Sequence, residues 1–295
     1  MKIKTNEISH SLLKDKEIKL FIKRIDLIHP FISGNKWYKL KYNLLEAKKQ
    51  NINTILTFGG AYSNHISATS FAAKEKGFKS IGIIRGEETL PLNDTLDFAK
   101  EQGMSIYYVS RSEYRKKHKQ DFIDKLKEKF GNFYLVPEGG SNKLAVKGAQ
   151  EILDKNDTQD FICAAIGTGA TISGIINSSK NQIVLGFPAI KGSEDLEQDI
   201  RSWTNKNNWE LIVDYHFGGY AKISKDLIQF TMDFYQKNNI PLDVIYTGKM
   251  MFGILDLINK DYFPRGSNIL TIHTGGLQAN KGLNERFGLN LPYNF

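Results

Sequence analysis

The stretch Ser33-Gly34-Asn35-Lys36-Trp37-Tyr38-Lys39-Leu40 sets a lysine between a glycine–asparagine pair and two aromatic rings, at the mouth of a helix expected over Leu40–Lys49. A solvated lysine needs no such setting. A lysine that must shed its proton and attack a carbonyl does, because the amine and not the ammonium is the nucleophile. A second stretch, Gly167-Thr168-Gly169-Ala170-Thr171, runs straight into an apolar helical segment, Ile172–Ile176. Glycines there let the backbone close on an anion, and successive N–H groups at a helix start supply positive potential. Thr168 and Thr171 add hydroxyls. The run is neither a P-loop nor GxGxxG, so a small phosphate monoester suits it better than a nucleotide. Each stretch also has a plain reading. GTGAT can be an ordinary strand–helix turn with a threonine cap, and Lys36 can be one more solvated member of 33 lysines.

Together, a lysine nucleophile and a phosphate cradle suggest pyridoxal 5′-phosphate, which is held on a lysine amine and acts as an electron sink. Such residues need elements to position them. Short apolar runs predict strands at Thr54–Phe58, Ser80–Ile84, Ser105–Val109, Asn132–Val136, Phe161–Ile166, Gln182–Phe187, Leu211–Tyr215, Val244–Tyr246 and Ile269–His273, with helix-length segments between most of them. Continuous apolar strands alternating with helices imply parallel sheets covered on both faces. Ligands then sit beyond the carboxyl ends of the strands. Five of these ends carry glycine with hydroxyls or amides: Gly59 to His65, Pro137 to Asn142, Gly167 to Thr171, Thr247 to Lys249 and Thr274 to Gly276.

The bulk properties agree with an enzyme of this kind. The 295 residues are 41% hydrophobic and 24% charged, enough for a full core in one large or two smaller domains. No apolar run approaches the ~20 residues of a membrane helix, and no secretory leader is evident, so a cytoplasmic protein with no membrane partner is expected. The single cysteine, Cys163, excludes a disulfide framework or a cysteine-based zinc site within one chain, and no metal is expected. The net charge of +8 points toward nucleic acid at first sight. Only seven of the 40 basic residues are arginine, however, the better fork for phosphates and base edges. The densest run, Arg111 to Lys119, reads as the solvated face of a helix. A basic field drawing in small anionic substrates is the better reading, with no nucleic-acid partner.

SGNKWYKL, GGAYSNH, PEGGSN, GTGAT, YTGK and HTGG, in this order, resemble the 1-aminocyclopropane-1-carboxylate (ACC) deaminase and D-cysteine desulfhydrase family of fold-type-II, tryptophan-synthase-β-like enzymes that use pyridoxal phosphate. The resemblance runs from about Lys23 to Gly276. It implies that Lys36 is the Schiff-base lysine, that Asn64 contacts the cofactor's phenolic oxygen, and that Ser63 lies near the substrate carboxylate. It further implies a phosphate loop at Gly167, Thr168, Gly169, Ala170 and Thr171, active-site tyrosines at Tyr246 and Tyr220, and Thr274 beside the pyridine nitrogen. A hydroxyl there, in place of an aspartate, moderates the electron sink and suits elimination. A tyrosine can move a proton if cationic surroundings lower its pKa. The alternatives stay beside these roles: Ser63 as a helix N-cap, the tyrosines as buried structural residues, and His65 as a capping, packing or site residue.

The family's ACC deaminases carry glutamate after the second tyrosine and leucine in the HxGG motif, where this chain has Thr247 and Thr274, as in the desulfhydrase branch. Departures from the family pattern are Arg24-Ile25-Asp26 near the N-terminus and Tyr38-Lys39-Leu40 after the lysine. The fold implied is α/β, with two open, mostly parallel sheets flanked by helices and the cofactor in the cleft between two domains. The smaller domain spans 39–141, and the larger joins 1–38 to 142–295. The implied reaction is a deaminating elimination on a small amino acid, D-cysteine to pyruvate, sulfide and ammonia. ACC deamination to 2-oxobutanoate is the alternative, alongside another D-amino-acid lyase or racemase. A non-catalytic carrier of the cofactor and a basic nucleic-acid binder are more remote. A homodimer is implied by resemblance.

Overall fold

The computed structural model describes residues 3–192 and 194–293. Its strands are β1 (Thr5–Glu7), β2 (Lys19–Lys23), β3 (Thr54–Gly59), β4 (Lys79–Arg85), β5 (Met104–Val109), β6 (Tyr134–Val136), β7 (Phe161–Ile166), β8 (Ile183–Pro188), β9 (Trp209–Leu211) and β10 (Asn268–Ile272). They form a six-stranded sheet in the order β1-β2-β10-β7-β8-β9 and a four-stranded sheet in the order β5-β4-β3-β6. Every pairing is parallel except β1 with β2. This is the expected α/β architecture.

The apolar runs explain it. In β7, Ile162, Ala164 and Ile166 feed one core, while Cys163 and Ala165 feed the core on the opposite face. In the four-stranded sheet Leu56 and Phe58 point to one side and Ile55 to the other. Strands buried on both faces have no polar side to show, so they read as unbroken hydrophobic runs.

Two expected strands are corrected. Val244–Tyr246 is a turn leading into the helix Thr247–Asn259. The buried Asp243 carboxylate accepts the N–H groups of Ile245, Tyr246 and Thr247 at 3.0, 2.7 and 3.0 Å, capturing the donors that a strand would give to a neighbour. The strand expected at Leu211–Tyr215 ends at Leu211, and Val213–Tyr215 is a 3₁₀ turn. After Ile212 donates to the Gly186 carbonyl, the chain leaves the sheet edge. Tyr215 then packs over Gly253 and donates its hydroxyl to Asp256 at 2.7 Å.

Two strands had no sequence signal. Flanked by lysines, β2 reads as polar, yet it lies inside the six-stranded sheet between β1 and β10. Its Lys23 is buried because its ammonium reaches Asp154 at 2.8 Å and also contacts Asp157. The helix expected from Leu40 begins five residues earlier, at Asn35, and runs unbroken to Lys49. It therefore crosses the expected domain boundary at residue 39.

Candidate active site

One cavity of about 590 Å³ opens where the carboxyl ends of β3, β6, β7 and β10 meet the start of the helix Asn35–Lys49. Four of the five glycine-polar turns thus follow strands, and the fifth, Thr247 to Lys249, starts a helix instead. The cavity size is that of an ordinary small-molecule site.

The lysine helix is locked to the strand ends by a close approach. Gly34 has φ +64°, and a Cβ there would sit 2.0 Å from the Thr274 carbonyl oxygen. The Asn35 N–H donates to that same oxygen at 3.2 Å. The Asn35 side-chain amide donates to Thr171 Oγ1 at 3.0 Å, tying the lysine helix to the GTGAT turn. Gly-Asn before the lysine is thereby explained: glycine permits the contact and asparagine bridges to the cradle.

Lys36 lines the cavity and makes one side-chain hydrogen bond, to Asn35 Oδ1 at 3.1 Å. Its residue surface is half-buried, but its ammonium lies among protein atoms, and desolvation lowers its pKa to about 8. About a tenth of the amine is therefore neutral at pH 7, far more than for a solvated lysine, and the neutral amine is the form that attacks a carbonyl.

In the expected cradle, the helix Ala170–Ser178 begins at Gly169, φ +82°, with no side chain capping its first turn. Thr168, Gly169 and Thr171 line the cavity, as does Gly167. Tyr246 packs against Gly167, where a Cβ would meet its ring at 3.3 Å. Ala170 does not line the cavity. Its side chain is buried in a small cluster with Ala145 and Val146.

A residue not singled out from the sequence completes this end. Lys39, one helical turn beyond Lys36, is 2% exposed, and its ammonium donates to Ser141 Oγ at 2.9 Å and Thr168 Oγ1 at 3.4 Å. Ser141 and Thr168 are also in direct hydroxyl contact. Burial, and next the charge of Lys36, hold the Lys39 pKa well below its ordinary value. A lysine buried among hydroxyls with no hydrogen-bonded carboxylate is missing a counter-charge, and a bound phosphate supplies one. The i, i+3 spacing from Lys36 is the signal that could have found it.

Asn64 and Ser63 follow β3. The Asn64 Oδ1 atom is buried without a hydrogen-bond partner, a costly state unless a ligand donates to it. Ser63 both lines the cavity and accepts from the Ile66 N–H at 3.4 Å, a long N-cap bond, so the capping role exists beside the site role. His65 is buried, held by Thr57 Oγ1 at 2.7 Å and Thr69 Oγ1 at 3.4 Å. Thr57 gives its own proton to the Val136 carbonyl, so it accepts from Nε2–H of a neutral imidazole. Burial first, then Lys36 and Lys39, push the His65 pKa well below its ordinary value. Thr274 is buried and lines the cavity.

Both tyrosines reach the cavity. Their ring centroids are 6.2 Å apart in an edge-on arrangement. Tyr246 is partly buried, whereas Tyr220 is 47% exposed. The condition under which a tyrosine would lose its proton, a pKa lowered by cationic surroundings, is not met. Burial pushes Tyr246 well above its ordinary value, with Tyr220 and Asp243 adding to the rise. Burial also raises Tyr220, against the lowering effect of a hydrogen bond from Tyr246 and of Arg85. Both phenols stay protonated and act as donors.

Thr247, expected from the resemblance to point to the desulfhydrase branch, is not among the residues that line the cavity. It is fully buried, donating to Asp243 Oδ2 at 2.6 Å and accepting from the Asp243 N–H at 2.9 Å.

One end of the cavity therefore offers a desolvated cation and uncapped helix start for a phosphate, and the other a partly neutral amine beside an orphaned amide oxygen. These groups fit pyridoxal 5′-phosphate: Lys36 would hold its aldehyde carbon, Lys39 and Thr168 its phosphate, and Asn64 an oxygen of its ring.

Known proteins resemble this chain in sequence and fold. The model of the family described as pyridoxal-phosphate dependent enzyme matches residues 4–275. The chain is 30% identical over 282 residues to a "Putative 1-aminocyclopropane-1-carboxylate deaminase" of Pyrococcus abyssi, covering 88% of this chain and 85% of that protein. It is 30% identical over 291 residues to the bifunctional D-cysteine desulfhydrase/1-aminocyclopropane-1-carboxylate deaminase, mitochondrial, of Arabidopsis thaliana, covering 88% of this chain and 72% of that protein. A crystal structure of an ACC deaminase homologue superposes with a TM-score of 0.85 at 25% identity, covering 97% of this chain and 93% of the other.

Proposed function

The chain belongs to the pyridoxal-phosphate-dependent enzyme family, and on that premise we propose that it is a deaminating lyase of small amino acids, with D-cysteine as substrate. The carrying observation is the convergence of Lys36, the Lys39–Thr168 cradle, the unpartnered Asn64 oxygen and Tyr246 in one cavity. When bound, the cofactor supplies an aldehyde that joins an amine and a ring that accepts an electron pair from the α-carbon. Lys36 would hold the cofactor and, as a free amine, would take the α-proton, since its pKa of about 8 leaves it partly neutral. The tyrosines, kept protonated by burial, hydrogen-bond to the substrate and give a proton to the departing group. Ser63, at the start of the helix Asn64–Glu75 and lining the same cavity, orients the substrate carboxylate. The β-substituent leaves as hydrosulfide, and hydrolysis of the remaining enamine yields pyruvate and ammonia.

D-Cysteine is supported by the hydroxyl of Thr274 in the cavity, in the place where the ACC deaminases carry leucine. The names of the relatives support the second reading, ring opening of ACC to 2-oxobutanoate and ammonia. Residues 39–141, which hold the four-stranded sheet, are proposed as the smaller domain.

The test is the visible spectrum of the protein loaded with pyridoxal 5′-phosphate, before and after D-cysteine or ACC, with sulfide and 2-oxo acid assayed. Sulfide release from D-cysteine is expected. Turnover of ACC alone moves the assignment to the second reading. In Lys36→Ala the visible band and turnover should both disappear, and full activity in that variant would refute the proposal.

A further inference from the structure

The basic run Arg111 to Lys119, expected to be a solvated helix face, has a more particular place. A recess of about 560 Å³ lies beside the active-site cavity and is lined by Arg85, Arg111, Arg115 and Lys117 against a single carboxylate, Glu138. Gly60, Ala61, Arg85 and Glu138 border both spaces, so the two are adjoining. The recess is built at the carboxyl ends of all four strands of the smaller sheet: Gly60 follows β3, Arg85 ends β4, Arg111 follows β5 and Glu138 follows β6. In parallel sheets this is where ligands bind.

Glu138 does not neutralise the recess. Its two oxygens are taken by the Tyr114 hydroxyl at 2.8 Å and the Lys117 ammonium at 3.3 Å. Arg85 rests over the Tyr114 ring, its guanidinium 5.7 Å from the centroid. Among the described residues Arg85, Arg111 and Arg115 form no salt bridge. Three guanidinium forks in one recess, none ion-paired among the described residues, make a concentrated positive field next to the proposed amino-acid site.

We infer that this recess receives a second acidic group, so that besides D-cysteine the enzyme accepts dicarboxylic or phosphorylated amino acids whose distal anion lies on Arg111 and Arg115 while the α-amino group faces Lys36. The inference rests on the proposed function for the placement of the amino group and extends it to the substrate class. Cysteine and ACC leave the recess unfilled.

The experiment titrates the cofactor-loaded protein with both enantiomers of glutamate and of norvaline, which match in chain length and differ in the distal carboxylate. Binding is followed by visible absorbance and by calorimetry, so that the comparison survives a silent spectrum. For the preferred enantiomer, glutamate should bind roughly five- to ten-fold tighter than norvaline, the yield of partly exposed ion pairs. In Arg111→Gln/Arg115→Gln the two should bind equally, with norvaline unchanged. Both arginines are exposed, so this variant should fold, and its melting temperature checks that. Equal binding in the wild type, or a preference that survives in the variant, overturns the inference. So does a site for free anions, which would show as stabilisation of the wild type alone by inorganic phosphate while glutamate and norvaline bind equally. A visible band that answers no amino acid counts against the proposed lyase function, whereas the calorimetric comparison still decides the recess.

Discussion

Lys249 donates hydrogen bonds from its buried ammonium to the carbonyl oxygens of Gly219 and His216, each at 2.9 Å. Gly219 directly precedes Tyr220. The segment is an irregular turn, with positive φ at Phe217, Gly218, Gly219 and Ala221, and such backbone holds its shape only when its surroundings impose it. Lys249 is the imposing group: from the helix Thr247–Asn259 it ties down the loop that carries one active-site tyrosine.

Lys249→Met should therefore act at a distance. Two carbonyls lose their donor, which costs about 1–3 kcal/mol in urea denaturation. The kcat/KM should fall roughly ten-fold as Tyr220 loses its position. Combining it with Tyr220→Phe should add less than the sum of the two effects, because both act through one hydroxyl.

Lys36 makes stability depend on pH. Its folded pKa of about 8 lies below the 10.5 of a free lysine, so the unfolded chain binds more protons between these values. The stability of the cofactor-free protein should rise as pH climbs from about 8 to 10.5. In Lys36→Met the same rise should be shallower, since buried Lys39 and Lys249 still contribute in the same direction. Equal slopes in urea titrations of the two proteins would show that Lys36 is solvated.

Lys39 separates cofactor binding from folding. In Lys39→Met the phosphate loses a charge-assisted donor, and the affinity for pyridoxal 5′-phosphate should drop about ten- to a hundred-fold. The cofactor-free protein should be no less stable than wild type, because the variant removes a desolvated ammonium. A stability loss with unchanged cofactor affinity would make Lys39 a packing residue.

Tyr246 is held protonated by burial, so its ionisation should not shape the rate below pH 10. Tyr246→Phe should lower kcat by about a hundred-fold, in the range for loss of a positioned proton donor. The pH profiles of wild type and variant should remain parallel up to pH 10. An alkaline limb present in wild type and lost in the variant would mean that the phenol does ionise.

Much of this arrangement is local and was legible in the chain. SGNKWYKL and GTGAT announce themselves by residue type, a glycine before a helix start in each, although the carbonyl that Gly34 admits belongs to the distant Thr274. The apolar runs of β3, β4, β7 and β10 announce their burial because both faces of a parallel strand are covered. What stayed hidden depends on partners far along the chain. β2 is a strand because Asp154 and Asp157 neutralise Lys23, more than a hundred residues away. Tyr246 sits on a turn because one carboxylate collects three N–H groups. Lys39 serves the cradle because Ser141 and Thr168 converge on it from two other strand ends. The tyrosine pKa values follow burial and not the sum of nearby charges, and burial belongs to the packed structure alone. The lysine and the phosphate turn were thus written locally, whereas the groups that tune them were decided by tertiary contact, since desolvation and counter-charge exist only once distant segments meet.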